Sequence, residues 1–188
     1  MHIEKQLLKK LKKRDKKAQL NLYDQCFGIM MSAALRYKKN REDAAALVNE
    51  SFLKVLTNIE KYDHQKPFEA WIRRIVINSA IDDFRKNKTK NVEYNENQTS
   101  SSVSYNEVEN SIEMESVEEA MNALPPATRT VFNLYVFDGY SHKEISEKCS
   151  ITVETSKWHV KMARKKLQLL IVNTTSICIV LTLIYWIL

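Results

Sequence analysis

Between residues 18 and 37 the apolar positions Leu22, Tyr23, Cys26, Phe27, Met30, Met31, Ala34 and Tyr37 recur every three or four residues. That spacing predicts one face of an amphipathic helix. A second stripe, Ala44, Leu47, Val48, Phe52, Val55 and Leu56, follows Asn40. Asn40 suits an N-cap, and Glu42 and Asp43 fall in the first turn, beside the positive end of the helix dipole. A third helix is predicted to open at Pro67 and to run through Trp71, Ile72, Ile75, Val76, Ser79 and Phe84 to Arg85 and Lys86. Together they predict one bundle over residues 18–86, preceded by a basic extension, 1–17.

The pattern lapses over residues 87–115, which are rich in Asn, Ser and Glu. With few large apolar residues to bury, such a segment cannot offset its ordering entropy, and it reads as an acidic, flexible linker. A second domain is predicted over residues 116–168. Ser116 and Glu119 form a capping box for a short helix ending near Leu124, and Pro125-Pro126 breaks the chain before a helix over 127–137. Asp138-Gly139 supplies a turn, Ser141 and Glu144 a further capping box for a helix ending near Cys149, and Thr152 caps a final helix. Lys157, His159, Lys161, Arg164, Lys165 and Lys166 are expected on its exposed side. Two short helices about a tight turn, the second strongly basic, predict a helix-turn-helix.

Composition narrows the choice of fold. With two glycines, Gly28 and Gly139, and three prolines in 188 residues, the chain holds neither a dinucleotide fingerprint nor a Walker loop, and few of the tight turns that sandwiches and barrels need. The expected fold is all-α, two small helical domains joined by a linker. Cys26, Cys149 and Cys178 form no CxxC pair, and His2, His64, His142 and His159 show no ligand spacing. Buried thiols in a reducing compartment are expected, with no metal, no cofactor and no catalytic residue. Residues 1–20 lack the apolar run of a secretory signal, so the N-terminus is expected in the cytoplasm.

The formal net charge of +6 is unevenly spread. Residues 1–20 stand at +6, 71–90 at +4, 87–119 at −6 and 139–168 at +4. Basic segments flanking an acidic one read either as solvated helix faces or as two surfaces for a polyanion. On the last helix, polar tips at Thr152, Glu154, Thr155 and Lys157 followed by cations meet the needs of a helix in the DNA major groove. On the third helix Arg73, Arg74, Asn78, Asp82, Arg85 and Lys86 line the polar side, with Tyr62, Phe68 and Trp71 at its entrance. Aromatic rings beside cations suit stacked, unpaired bases, and the same rings equally suit a core.

The segments LYDQCFGIMMSAALRYKKNREDAAALVNESFLKVL, YDHQKPFEAWIRRIVINSAIDDFRK and ALPPATRTVFNLYVFDGYSHKEISEKCSITVETSKWHVKMARKKL resemble, in order and spacing, the sigma-2 and sigma-4 domains of extracytoplasmic-function sigma factors of the sigma-70 family. The resemblance implies a subunit that binds core RNA polymerase and directs promoter recognition, melting and initiation, under the control of an anti-sigma partner. It implies polymerase contacts at Asp43, Leu47, Asn49, Glu50 and Phe52. It assigns the loop Tyr62–Pro67, with His64 and Lys66, to capture of a flipped promoter base. Arg73, Arg74, Asn78 and Asp82 fall to the minus-ten element, and Arg85 and Lys86 extend that basic face. His142 and Lys143, with Thr152, Glu154, Thr155, Lys157, His159, Lys161 and Arg164, fall to the minus-thirty-five element. The chain departs from the family at Ala46 and Asn49, where an acidic residue and Gln are usual. It departs again at Ser150, in place of the turn glycine, and at Ser156, in place of a buried valine.

Residues 169–188 carry no charge, and 15 of the 20 are apolar. A helix of that length matches the bilayer core, and Lys161, Arg164, Lys165 and Lys166 before it would hold the rest of the chain on the cytoplasmic face of the inner membrane. Asn173, Thr174, Thr175 and Ser176 interrupt it, and a helix that packs on a protein is the other reading. Two further functions compete with the sigma-factor reading. One is a helix-turn-helix regulator acting alone on duplex DNA, and the other is a hydrolase with a dispersed site.

Overall fold

The computed structural model describes residues 3, 5–95 and 117–168, and among these the regular secondary structure is helical throughout. The chain divides into two compact units on either side of Phe84 and Arg85.

In the first unit α1, Lys5–Lys12, precedes the predicted bundle. Its sequence alternates lysines with leucines so that Leu8 and Leu11 are buried, and it packs on α2, Lys16–Leu35, and on a 3-10 turn, Ile59–Lys61. The basic extension is therefore in part an amphipathic helix. Asp15 caps α2 by accepting from the Ala18 N–H at 2.8 Å. Asn40 caps α3, Arg41–Asn58, as its sequence predicts, accepting from the Asp43 N–H at 2.7 Å. α2 and α3 pack along one another. With α4, Phe68–Asn95, they enclose Leu22, Cys26, Met30, Val48, Val55, Phe68, Ile72 and Val76, all fully buried. Each such side chain contributes roughly 1.5–3 kcal/mol relative to exposure. Burial also pushes the Cys26 thiol up to about 12, so it stays protonated.

One boundary differs from expectation. α4 does not stop at Lys86 but continues to Asn95. No proline or glycine lies in 87–95, and a composition too polar for a core does not oppose continuing a helix already nucleated upstream. The first part of the segment read as a flexible linker is thus helical, and residues 96–116, including the Ser116 cap, lie outside the described residues.

The second unit contains α5, Val117–Asn122, α6, Pro126–Val136, α7, His142–Cys149, and a helix over residues 153–168, α8. Arg129 is buried at 3% exposure, with Nε donating to the Met121 carbonyl at 2.9 Å and Nη2 to the Asn122 carbonyl at 2.8 Å. A guanidinium here bonds two carbonyls at the end of α5, one of them shared with the Leu124 N–H, and places positive charge where the helix dipole favours it. α7 opens on the predicted capping box: Ser141 Oγ accepts from the Glu144 N–H, and Glu144 Oε2 accepts from the Ser141 N–H at 2.8 Å. Ser150 ends α7 in the left-handed region, at φ 55 and ψ 43. The turn survives the missing glycine at a cost of about 1 kcal/mol. The Ser146 hydroxyl, donating to the Ile151 carbonyl at 2.6 Å, helps hold it.

Among the described residues no helix is long and apolar enough to cross a membrane. Residues 169–188, to which the anchor reading applies, lie outside the described residues.

Candidate nucleic-acid and polymerase interfaces

On the helix-turn-helix, α8 is seated by buried Ser156, Val160 and Ala163, which leaves Glu154, Lys157, Trp158, Lys161 and Arg164 on its exposed side. Thr152 caps the helix, its Oγ1 accepting from the Thr155 N–H at 3.0 Å. Ser156, where the family has valine, is not a packing defect: its Oγ lies 3.0 Å from His142 Nδ1. That ring stacks on Tyr135 at 4.4 Å and 14°, and Arg164 lies over the other ring, 6.0 Å from the Tyr135 centroid. The hydroxyl therefore ties α7 to α8 by a hydrogen bond where an apolar contact is usual. Burial, and then the charges of Lys157 and Arg164, hold the His142 imidazole below its ordinary range.

Two residues of this set are placed differently from expectation. His159 is not on the exposed side; it is half-buried with Nδ1 3.0 Å from Thr128 Oγ1 on α6, and burial lowers its pKa. A helical turn carries 3.6 residues, so the position between Lys157 and Lys161 rotates toward α6. Trp158, absent from the sequence reading, is 43% exposed beside Lys157. The Lys157–Lys161 spacing pointed to that face, and the habit of assigning tryptophan to cores concealed it. Lys143 is exposed at the start of α7, and Thr155 is half-buried.

In the first unit the loop before α4 is tightly folded. Tyr62 is buried, its hydroxyl donating to the Lys66 carbonyl at 2.6 Å, while Asp63 Oδ1 accepts from the Gln65 N–H at 3.0 Å. The Tyr62 ring packs against Phe68 at 4.9 Å and Trp71 at 5.3 Å, with Phe68 fully buried and Trp71 half-buried. These rings form a small aromatic core, because mutual burial of their faces outweighs exposing them for stacking. Tyr62 is corrected accordingly from a base-contacting residue to the post on which the loop is wound. His64 and Lys66 project from that loop and are exposed.

Along α4, Arg74, Asn78, Arg85 and Lys86 are exposed. Arg73 is half-buried and engages Glu69 through Nε at 3.1 Å and Nη2 at 2.9 Å. Asp82 holds Lys54 of α3 at 3.0 Å, and the same ammonium reaches Glu50 at 3.1 Å. Asp83 pairs with Lys38. The acidic residues of this helix thus fasten it to its neighbours.

On α3, Asp43, Asn49 and Glu50 are exposed. Asp43 completes the cap, its carboxylate accepting from Asn40 Nδ2 at 3.0 Å, and Asn49 Oδ1 accepts from the Tyr23 hydroxyl at 2.8 Å. Leu47 and Phe52 are buried at 3% and 8% exposure, Phe52 against Tyr23 at 5.0 Å. Both belong to the core stripe, which the helical period had already shown, and neither side chain presents a contact surface. Leu53, 65% exposed on the same face as Asn49 and Glu50, is the apolar residue that face displays.

Family models match both units: Sigma-70 region 2 over residues 22–90 and Sigma-70, region 4 over residues 114–167. The RNA polymerase sigma factor SigZ of Bacillus subtilis is 30% identical over 122 residues, covering 64% of this chain and 68% of SigZ. The ECF RNA polymerase sigma factor SigW of the same organism is 26% identical over 176 residues, covering 87% of this chain and 94% of SigW. The solved structure of the sigma factor RpoE in complex with the anti-sigma factor NepR, from Bartonella quintana, matches at 20% identity and a TM-score of 0.46, over 80% of this chain and 96% of that one. The chain belongs to the extracytoplasmic-function sigma factors of the sigma-70 family, non-enzymatic subunits that direct RNA polymerase in promoter recognition and transcription initiation.

Proposed function

We propose that the two units divide promoter recognition between them. In the second, α8 enters the major groove of the minus-thirty-five element. Lys157 and Trp158 meet base edges there, Lys161 and Arg164 meet phosphates, and Lys143 and the Thr152 cap lie at the groove's rim. The observation that carries this reading is the split of α8 into a buried small face, Ser156, Val160 and Ala163, and an outward cationic one. In the first unit the exposed His64, Lys66, Arg74 and Asn78 receive the minus-ten strand, and Arg85 and Lys86, farther along α4 and past the division between the units, meet phosphates. Strand opening then draws on binding free energy alone.

The α3 face of Asn49, Glu50 and Leu53 docks on core RNA polymerase, with Leu53 as its apolar contact. An anti-sigma partner that covers the same face holds the chain inactive in the cytoplasm. Residues 96–116 bridge the units as an acidic tether that like-charged DNA repels. Residues 169–188 tether the chain to the inner membrane; recovery of the whole chain in the soluble fraction, without detergent or partner, overturns that assignment.

Run-off transcription with purified core polymerase tests the whole reading. Initiation that depends on this chain is expected. Footprints of the chain alone at nanomolar concentration, unchanged by polymerase, would return the helix-turn-helix regulator.

A further inference from the structure

We propose that the α1–α2 junction is a third DNA contact, a sequence-independent surface for the phosphates of promoter DNA. Residues 9–17 hold six lysines and Arg14 against a single acid, Asp15. All seven cations are exposed, and the Asp15 carboxylate is engaged in capping α2. The inference rests on the proposed division of promoter recognition and extends it.

Stability does not ask for this arrangement. Lys16 and Lys17 occupy the first turn of α2, beside the positive end of its dipole, where a cation is unfavourable by some ~0.3–1 kcal/mol. Arg14 sits at φ 58, a left-handed position that glycine or asparagine fills at lower cost. Like charges this dense repel one another within a Debye length of about 10 Å at 0.1 M salt. A polyanion relieves both electrostatic costs, and it gives a reason for a cation to be kept at the strained Arg14 position.

The placement fits DNA in particular. Buried Leu8 and Leu11 dock α1 on α2 and on the 3-10 turn Ile59–Lys61, and that turn leads directly into the loop carrying His64 and Lys66. The cluster is therefore anchored beside the proposed single-strand loop of the same unit. With its lysines spread over the end of α1, the turn and the start of α2, it offers distributed charge, which suits a phosphate backbone and carries no base readout.

The test is the salt dependence of promoter binding by reconstituted holoenzyme. A full chain carrying Lys9→Gln, Lys10→Gln, Lys12→Gln and Lys13→Gln should show a log affinity against log salt slope shallower by about 3, and at least a roughly tenfold loss of affinity at 0.05 M salt. The same four positions changed to Arg should keep the parent slope. A second variant, Arg14→Asn with Lys16→Gln and Lys17→Gln, should lower the slope while raising the thermal midpoint, which separates charge from folding. An unchanged slope in both neutralised variants, with parent holoenzyme initiating normally, overturns this inference and leaves the division of labour standing. Failure of the parent holoenzyme to bind the promoter at all strikes that division itself. Loss of binding to phosphatidylglycerol vesicles with no change in slope assigns the cluster to a membrane instead and likewise overturns it.

Discussion

The two units use polar chemistry in opposite ways. In the N-terminal unit the interior is largely apolar, with the Ser51 and Ser79 hydroxyls buried in it, and charged side chains at the surface join one element to another, Lys54 of α3 and Lys38 reaching Asp82 and Asp83 of α4, while Arg73 braces Glu69 within α4. In the C-terminal unit the polar groups lie inside, with Arg129 on the α5 carbonyls, His159 on Thr128 and His142 on Ser156, while α8 presents Lys157 and Lys161 outward. A domain this small gains limited burial from its core. Directional hydrogen bonds fix its helices, and Lys157 and Lys161 stay exposed. The larger bundle can rely on packing and use its charges at the surface. A charge removed from the first unit should therefore disturb helix placement as well as binding. Removing Lys157 or Lys161 from α8 should disturb binding alone.

The sharpest break of this contrast is Arg129→Ala. The half-buried Met121 and Asn122 carbonyls lose the guanidinium and a cavity opens, so the second unit should lose about 2–4 kcal/mol in urea or thermal unfolding. A change under ~0.5 kcal/mol would mean that the interior hydrogen bonds do not hold it.

Next in size is the comparison of neighbours on α4. Exposed Arg74 should matter for strand opening, roughly tenfold on Arg74→Ala, equivalent to about 1.4 kcal/mol, with little change in duplex binding. Arg73→Ala should act mainly by releasing Glu69, as a lowered thermal midpoint. Lys157→Ala should show the reverse bias, weakening duplex binding by about 1–3 kcal/mol and relaxing sequence preference at the position it contacts. Equal losses in permanganate-detected opening and in duplex binding for Arg74 and Lys157 defeat the division.

Acid should separate the units more gently. His142 and His159 both have pKa values lowered by folding, chiefly through burial. The unfolded chain therefore binds protons more readily than the folded one. Their contribution is intact above the ordinary histidine range and is lost as pH falls below about 6.5 toward the lowered values. Thermal scans between pH 7.5 and 5.5 should show destabilisation that His142→Gln with His159→Gln flattens; an equally steep profile in that variant removes histidine from the account. The smallest effect expected is a gain. Ser150→Gly relieves the left-handed position between α7 and α8 and should add about 1 kcal/mol, read as a higher urea midpoint.

Much of this was legible in the amino-acid pattern. The stripes of the first three bundle helices, the caps at Asn40, Ser141 and Thr152, and the turn kept by Ser150 all depend on neighbours within a few residues, where sequence carries the information. The misses share another origin. Leu8 and Leu11 became a core face because α1 packs on α2 and on the Ile59–Lys61 turn. The Tyr62 ring, set among cations, read equally well as stacking platform or core until Phe68 and Trp71 closed on it. Leu53 and Phe52 are adjacent, and one step of 100° around α3 decides which faces out. His159 and Trp158 exchange roles for the same reason.

The bond from the Tyr62 hydroxyl to the Lys66 carbonyl closes the loop before any nucleic acid arrives. A receptor already set in shape surrenders little freedom on contact, so more of the attraction survives as net affinity. It also adapts poorly. Under the proposed reading an extruded nucleotide has to suit the contour it meets, and discrimination at that position falls to geometry, with the hydroxyl acting as a rivet in the mould.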